Sequence, residues 1–302
     1  MFNVPGAENE HANKEQNMRV MEYNLPFTKA AKWVTVLATS CWHRANPAMH
    51  IEGVMRFIER AKKHPWKHHG DGVEGVLAGD KRFAIDEHKE PLLDAIKWTA
   101  GTIESARKTC IGYILGNHDY TPSKEIGDVG EYIAMCAGVP YLTATCFIRF
   151  QAPEGECVGF FCHGTGTAQY RTGEPERKTA NRQVKLRDIL KPFHADICGM
   201  GHMHTSIVTP PCLEERLTVD DDDKVKRRPV IVRPNWYYAA PSMFMTYPDD
   251  KPGTNYAEMR IYPAKDLGWI EYDIGRDGTI YCVREVYETG ETKMEHEPTV
   301  VS

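Results

Sequence analysis

The chain has 302 residues, of which 41% are hydrophobic and 26% are charged, as in ordinary globular proteins. This composition excludes the disordered and fibrous classes, and the length suits one large domain. Lysine and arginine total 37 against 42 for aspartate and glutamate, so the formal net charge is −5. The chain therefore has no overall positive charge that would attract polyanions such as nucleic acids.

The first 25 residues are polar and lack the apolar centre of a signal peptide. No window approaches the roughly 18 apolar residues that a membrane span needs. The nine cysteines are scattered without regular spacing, which in a reducing compartment is typical of free thiols packed as small apolar side chains. We therefore expect a cytoplasmic protein with no membrane partner, in which residues 1–28 are an N-terminal extension.

Strands and helices alternate along the first two thirds of the chain. This alternation is typical of a parallel or mixed sheet covered by helices. Apolar residues three and four apart predict helices over 47–64, 88–108, 124–137 and 177–191. Short β-rich runs predict strands at 33–39, 73–78, 110–115, 141–150, 157–162 and 195–199.

The last third of the chain is rich in aromatic and β-branched residues with Gly, Pro and Asp between them. Residues 212–219 and 224–234 predict two strands joined by a charged loop, which is typical of a solvated hairpin tip. The following runs predict antiparallel strands, so that a second sheet extends from about 205 to 290. We expect a single domain over residues 29–290 and a short tail over 291–302.

Potential metal ligands follow five of the apolar strands. Because the carboxyl ends of strands in an open α/β sheet share one rim, we expect these side chains to converge. Each motif alone is weak evidence for a metal site, since Gly-Asp and Gly-Asn pairs are ordinary turn formers. The occurrence of such motifs directly after five strands is not expected by chance. The residues of these motifs are Cys41, His43, Asp80, Asn117, His118, Asp119, His163, His202 and His204.

This series resembles the calcineurin-like metallophosphoesterase superfamily, whose motifs D-x-H, G-D, G-N-H-D/E, H and G-H-x-H occur in that order. The match covers roughly residues 33–206. The resemblance implies an α/β fold, a four-layer αββα sandwich with two mixed β-sheets flanked by helices. It also implies two divalent metal ions, bridged by one aspartate and a hydroxide. Carried over, it implies that the first ion is held by Cys41, His43, Asp80 and His204, and the second by Asp80, Asn117, His163 and His202.

Cys41 departs from the family pattern, which usually has aspartate at this place. A thiolate is softer than a carboxylate and binds metals at about 2.3 Å, which favours zinc or iron over manganese at the first position. RNA lariat debranching enzymes are similar in this one substitution, and this points toward phosphodiester substrates. Two alternatives remain open: a weakened first site with one tightly bound ion, and a Cys41 that merely packs beside a degraded site.

The resemblance implies that His118 is the unmetallated histidine beside the scissile phosphate. There it can stabilise the transition state or protonate the leaving alkoxide, and Asp119 is the natural partner to orient it. Metal binding lowers the pKa of water to about 7 and so supplies the nucleophile. Arg44 or Arg82 could pair with a phosphate, and Tyr120 could stack on a base.

Three functions are compatible with the sequence. We expect a dinuclear metal-dependent phosphodiesterase that acts on a nucleic acid or a nucleotide, with zinc, iron or manganese as its ions. The alternatives are a phosphomonoesterase acting on a small metabolite or a phosphoprotein, and a catalytically silent metal-binding scaffold. The partner expected in the two enzymatic cases is a phosphate ester.

Overall fold

The computed structural model describes residues 18–77, 79, 90–166, 174–219, 225–233, 235–246 and 266–296. The strands are β1 (Arg19–Asn24), β2 (Trp33–Thr39), β3 (Trp66–His68), β4 (Cys110–Tyr113), β5 (Thr145–Ala152), β6 (Gly155–Cys162), β7 (Ile197–Met200), β8 (Ile207–Thr209), β9 (Cys212–Val219), β10 (Val225–Arg233), β11 (Trp236–Ala239), β12 (Gly268–Gly275), β13 (Ile280–Tyr287) and β14 (Thr292–His296). The helices are α1 (Ile51–Ala61), α2 (Leu92–Glu104), α3 (Asn117–Tyr120), α4 (Ser123–Ile126), α5 (Val129–Ala137) and α6 (Pro175–Leu190). Within this described part, no helix combines the length and apolar character needed to cross a bilayer.

Most of the strands form two six-stranded mixed sheets. Sheet A has the order β1-β5-β6-β7-β11-β8, and sheet B has the order β14-β13-β12-β2-β3-β4. In sheet A the strands β6, β7 and β11 run parallel. In sheet B the strands β2, β3 and β4 run parallel, and β12 pairs with β2 in the antiparallel sense. Each sheet therefore has a parallel portion whose carboxyl ends lie together.

Three apolar cores separate four layers of structure. The central core lies between the sheets and contains Tyr238 of sheet A and Tyr272 of sheet B. A second core packs α1, α2 and α5 against sheet B, with Phe57 fully buried in it. A third core packs α6 against sheet A through Leu186 and Leu190. The expected α/β four-layer αββα sandwich with two mixed sheets is confirmed.

The four predicted helices all occur, but with different bounds: α2 is shorter at both ends than predicted, and α6 begins two residues earlier and ends one earlier. The other two differences have identifiable causes. Helix α1 begins at Ile51 and not at residue 47, because His50 caps it: its Nδ1 accepts a hydrogen bond from the backbone N–H of Gly53 at 3.0 Å. The helix predicted over 124–137 is two helices, α4 and α5. Gly127 ends α4 with a φ of 90°, and Asp128 then caps α5.

The strand predicted at 73–78 is wrong. Strand β3 lies at Trp66–His68 instead, and Val73 forms only an isolated bridge with Arg44. Lys67 and His68 of β3 are polar but fully buried. The strand therefore lacks the apolar run by which a buried strand is recognised in a sequence.

The C-terminal strands do not together form one separate sheet. The predicted hairpin is confirmed as an antiparallel ribbon of β9 and β10. Strand β11 joins sheet A beside β7, whereas β12, β13 and β14 extend sheet B from β2. Strand β1 pairs with β5 and β14 pairs with β13, so the segments predicted as an extension and a tail both contribute strands.

Candidate metal centre

Loops from both sheets meet at the carboxyl ends of the parallel strands. The loop after β2 is hydrogen-bonded to the loop after β3: the N–H of Cys41 donates to the carbonyl of Gly70 at 2.9 Å, and that of His43 donates to the carbonyl of Asp71 at 3.0 Å. The loops after β6 and β7 are joined in the same way, since the N–H of Gly201 donates to the carbonyl of His163 at 3.0 Å. Backbone hydrogen bonds thus fix the relative positions of the side chains that these loops carry.

The first ligand group consists of Cys41, His43 and His204. Their candidate ligand atoms all lie within 4.8 Å of one another, and the Nε2 atoms of His43 and His204 are 3.1 Å apart. Cys41 is fully buried and His43 is 2% exposed. The three side chains are therefore arranged to share a cation.

The second ligand group surrounds the side-chain oxygen of Asn117. Its Oδ1 lies 2.9 Å from Nε2 of His163 and 2.8 Å from Nδ1 of His202. The two histidine nitrogens are 3.2 Å apart. Burial lowers the pKa of His202 to about 4, so its imidazole is neutral near pH 7 and a nitrogen lone pair is available to a metal.

The carboxylate of Asp71 lies between the two groups. Its Oδ2 is 3.0 Å from Nε2 of His163 and 4.0 Å from Nε2 of His43. Its Oδ1 accepts a hydrogen bond from the backbone N–H of His118 at 2.8 Å. Cys41, Asp71 and His163 also form a candidate metal-binding triad. Burial alone would raise the pKa of Asp71, but the neighbouring His163, His118 and His43 hold it well below its usual value. Asp71 is therefore ionised.

Asp71 does not belong to the ligand set predicted from the sequence. The predicted strand at 73–78 places the Gly-Asp motif at Asp80, whereas the strand of the structure ends at residue 68. Asp80 and Arg82 lie outside the described residues, so both stay predictions. The signal that could have found Asp71 is the Gly-Asp pair at 70–71, which closely follows β3.

His118 pairs with Glu74, a second residue that the sequence motifs do not reveal. The Nδ1 of His118 lies 3.2 Å from Oε1 of Glu74 and 2.9 Å from its carbonyl oxygen. The other carboxylate oxygen of Glu74 lies 3.0 Å from Nδ1 of His43. Burial alone would lower the pKa of His118, but the charges of Glu74 and Asp71 raise it to about 10. The pair is therefore an imidazolium–carboxylate ion pair.

Asp119 does not orient the side chain of His118, so that expectation is wrong. Its buried carboxylate accepts hydrogen bonds from the backbone N–H groups of Asp71 at 2.9 Å and of Gly116 at 3.0 Å. It also accepts one from the hydroxyl of Tyr113 at 2.8 Å. Asp119 thereby ties the loop after β3 to the loop after β4 and positions Asp71.

Five residues of the centre have left-handed backbone conformations. The φ angles are 53° at Cys41, 53° at His43, 57° at Asp71, 62° at His202 and 50° at His204. Non-glycine residues rarely adopt this region, and such strain costs on the order of 1–3 kcal/mol for each residue. Residues of this kind cluster at functional sites, where the surrounding structure holds them in place.

The substrate-binding candidates have different environments. The Nε of Arg44 lies 2.9 Å from Oε2 of Glu90, and its guanidinium lies 4.5 Å from the centre of the Trp98 ring. Arg44 is therefore engaged in an ion pair within the protein. Tyr120 is 52% exposed and lines a cavity that also contacts Asn117.

The donor set fits a pair of divalent cations. Imidazole nitrogen and thiolate sulfur suit zinc and iron, whereas carboxylate and amide oxygen also suit manganese. Burial and the charge of Asp71 raise the pKa of the Cys41 thiol well above its usual value. A bound cation favours the thiolate and so reverses that shift.

Solved structures with a similar fold include two that are described as phosphoesterases. Yfce, a phosphoesterase from E. coli, is 15% identical, with 87% of this chain and 99% of that chain covered and a TM-score of 0.41. A metallophosphoesterase from Sphaerobacter thermophilus is 11% identical, with 88% and 89% covered and a TM-score of 0.36.

A third similar structure is GAP50, the anchor in the inner membrane complex of Plasmodium. It is 11% identical, with 90% of each chain covered and a TM-score of 0.42. No family model and no curated protein matches the chain.

Proposed function

We propose that the protein is a dinuclear metal-dependent phosphoesterase that hydrolyses phosphodiesters. The observation that carries this proposal is the position of the Asp71 carboxylate between two groups of metal-ligating side chains. In this proposal Asp71 is the shared ligand, in place of Asp80. The first ion would be held by Cys41, His43, Asp71 and His204, and the second by Asp71, Asn117, His163 and His202.

The charge of the ligand set suits an anionic substrate. Its two anions are the Cys41 thiolate and the Asp71 carboxylate, and Asn117 and the imidazoles are neutral ligands. Two divalent ions would therefore keep a net positive charge to bind a phosphate group. When bound, such ions supply a water of lowered pKa as the nucleophile. Zinc or iron is the favoured occupant beside Cys41, because sulfur prefers softer metals.

His118 is the proposed proton donor to the leaving alkoxide. Its Nδ1 proton is engaged by Glu74, so Nε2 is the nitrogen that remains for the ester oxygen. A positioned general acid contributes on the order of 10²–10⁴ in rate. Glu74 keeps His118 protonated and fixes the ring, which is the role that the sequence motifs predict for Asp119.

We favour a diester over a monoester because of charge. A monoester carries a second negative charge on its phosphate, and Arg44, the nearby candidate to neutralise it, is already paired with Glu90. The Cys41 substitution shared with RNA lariat debranching enzymes points in the same direction.

A matched pair of variants, Asp71→Asn and Asp80→Asn, tests the proposal. Each variant is reconstituted with zinc, iron or manganese, its metal content is measured by mass spectrometry, and the hydrolysis of bis-p-nitrophenyl phosphate is compared with that of p-nitrophenyl phosphate. We expect the parent to bind two ions and to prefer the diester. Asp71→Asn should lose at least one ion and about 10²-fold or more in turnover, as loss of a group that acts in the transition state does.

The control Asp80→Asn should retain both metal ions and turnover. If Asp80→Asn loses them and Asp71→Asn does not, the assignment of the shared ligand is wrong. If the parent hydrolyses neither ester with any of the metals, the proposed activity is wrong and the metal-binding scaffold remains.

A further inference from the structure

A cavity of about 580 Å³ lies beside the second ligand group. Asn117 and His163 line it together with residues from the end of β6 and the end of α6, including Phe160, Leu190 and Phe193. Small-molecule sites in proteins typically have volumes of about 300–1,000 Å³. The cavity is therefore large enough for an organic group, and it is continuous with candidate metal ligands. We call it the ester pocket.

The lining of the ester pocket is apolar and aromatic. The rings of Phe160 and Phe193 are stacked with their centroids 3.6 Å apart and an interplanar angle of 7°. Tyr120, half-exposed, adds a third aromatic ring. Among the described residues that line the pocket, none is Lys, Arg, Asp or Glu. Such a surface suits a flat, uncharged ring, which gains from apolar burial and from offset or edge-to-face ring contacts.

The absence of a cation in the described lining discriminates between classes of phosphate ester. An internal segment of a nucleic-acid strand carries further phosphates on both sides of the scissile one. A phosphate placed in the ester pocket would lie against apolar side chains and would gain no charged partner from these residues, which is unfavourable. An ester whose second organic group is aromatic and neutral meets no such penalty.

We infer that the ester pocket binds an uncharged aromatic group of the substrate while the phosphate lies at Asp71 and the ligands around it. The substrate class is thus a phosphate ester with an aryl-sized hydrophobic group, and the specificity-determining residues are Tyr120 and Phe193, with the buried Phe160 ring stacked behind Phe193. This inference rests on the proposed function, because only that function places a phosphate beside the pocket.

Phosphonates that are not hydrolysed test the pocket separately from catalysis. Methylphosphonate, phenylphosphonate and 1-naphthylphosphonate share one anionic group and differ in the size of the organic group. Their affinities for the zinc-loaded protein are measured by titration calorimetry. We expect 1-naphthylphosphonate to bind the parent at least about tenfold more tightly than methylphosphonate, because the ring buries apolar surface.

The variant Ala144→Trp should remove this preference. Ala144 lines the pocket but is itself exposed, so a larger side chain there enters the pocket without displacing the buried core. The affinities of the three phosphonates should then become about equal. Ala30→Trp is the matched control, since Ala30 is an exposed residue in a turn between β1 and β2 and does not line the pocket. This control should keep the tenfold preference of the parent.

The possible results separate the two proposals. Equal affinity of the parent for all three phosphonates overturns the pocket assignment and leaves the phosphoesterase proposal in place. A preference for the naphthyl group that Ala144→Trp leaves unchanged also overturns it. Absence of phosphonate binding by the zinc-loaded parent likewise overturns only the pocket assignment. Failure of the parent to hydrolyse either ester with zinc, iron or manganese overturns the proposed function, and the pocket assignment with it.

Discussion

Glu74 connects two histidines of the centre with the two oxygens of one carboxylate. Its Oε1 lies 3.2 Å from Nδ1 of His118, and its Oε2 lies 3.0 Å from Nδ1 of His43. One side chain thus positions both the proposed proton donor and a proposed ligand. Burial alone would raise the pKa of Glu74, but His118 and His43 lower it below its usual value, so the carboxylate is ionised.

A double-mutant cycle tests whether Glu74 acts through His118. We expect His118→Asn and Glu74→Gln each to lower kcat for bis-p-nitrophenyl phosphate by about 10²-fold, as loss of a general acid does. The double variant should be no slower than the slower single variant, because residues that act as one unit are not additive. The measurement is kcat in the metal-loaded enzymes, with metal content checked for each variant.

Glu90→Gln provides the control for this cycle. Glu90 pairs with Arg44, and its loss should change kcat much less than the loss of Glu74. Rate losses that multiply in the double variant would mean that Glu74 and His118 act independently.

Individual residues of the centre could be predicted from the sequence only where they belong to a recognisable short motif. The histidines of the Gly-His-Met-His segment, His202 and His204, and Asn117 all occur in recognisable short patterns. Asp71 also occurs in a Gly-Asp pair, but the wrongly placed strand at 73–78 directed the motif to Asp80. Glu74 belongs to no such pattern, because it becomes important only when the loop after β3 meets the loop after β4. That meeting depends on long-range backbone contacts, which leave no periodic signal in the sequence.

At the scale of the elements, the loops after β3 and β4 touch backbone to backbone. A Cβ atom on Gly116 would lie 2.1 Å from the backbone nitrogen of Asp71, and one on Gly70 would lie 2.5 Å from the nitrogen of Gly116. Gly70 also has a φ of 87°, which other residues rarely adopt. The two glycines therefore let the loops approach closely enough to position Asp71.

Gly116→Ala should destabilise the protein and disturb the centre. We expect the free energy of unfolding to fall by about 2 kcal/mol or more, in the range for overpacking against rigid backbone, and metal content to fall with it. Gly101→Ala is the control, because Gly101 lies in α2 and a methyl group there would meet no heavy atom of another element within 4 Å. This control should raise the stability by roughly 0.5–1 kcal/mol through helix propensity.

Urea denaturation of both variants gives the two free energies of unfolding. If the free energy of unfolding falls no further in Gly116→Ala than in Gly101→Ala, the loops can separate without cost and the expected role of Gly116 is wrong.

The elements themselves were predictable where their patterns were local. Helix α1 presents apolar residues at helical spacing, and the sequences of β9 and β10 flank a run of charged residues. Strand β3 was not predictable, because Lys67 is polar and yet fully buried. Its Nζ donates to the hydroxyl of Tyr272 at 2.5 Å and lies 3.8 Å from the centre of the Phe161 ring. Only the packing of the two sheets provides these partners.

At the scale of the whole molecule, charged residues tie the helical layer to sheet B. The guanidinium of Arg60 on α1 donates two hydrogen bonds to Glu271 on β12, at 2.9 and 3.0 Å, and Trp269 donates a third at 3.0 Å. Burial alone would raise the pKa of Glu271, but the hydrogen bonds from Arg60 and Trp269 and the charges of Arg60 and Arg284 lower it.

The lowered pKa of Glu271 predicts a pH dependence of stability. A carboxyl group with a depressed pKa in the folded state adds stability above its unfolded pKa of about 4.3, and this contribution is lost as the pH falls through the folded value. Between about pH 5 and pH 3 the free energy of unfolding should therefore fall more steeply in the parent than in Glu271→Gln. Urea titrations in the presence of a chelator measure both slopes.

Glu59→Gln is the control for this comparison, because the side chain of Glu59 is 66% exposed and pairs with Lys62 at the end of the same helix. It should keep the slope of the parent. Equal slopes in the parent and in Glu271→Gln would mean that Glu271 contributes nothing to acid sensitivity.

The layered sandwich was predictable, but the membership of its sheets was not. Alternating strands and helices predicted a parallel or mixed sheet covered by helices, and the resemblance in motif order implied two mixed sheets. Strands β2 and β12 are neighbours, with Val36 opposite Tyr272, although most of the chain separates them in sequence. Apolar strands of this kind can pair with many partners, and the sequence pattern does not choose among them.

The centre lies where loops of the two sheets meet, and this position also governs when it can form during biosynthesis. Cys41, His43 and Asp71 come from sheet B, whereas His163, His202 and His204 come from sheet A. A nascent chain on the ribosome therefore displays the early donors long before the late ones have been translated. Strand β2 must likewise wait for β12 to emerge before its antiparallel edge is covered. The full donor set is thus present only after residue 204 has been translated.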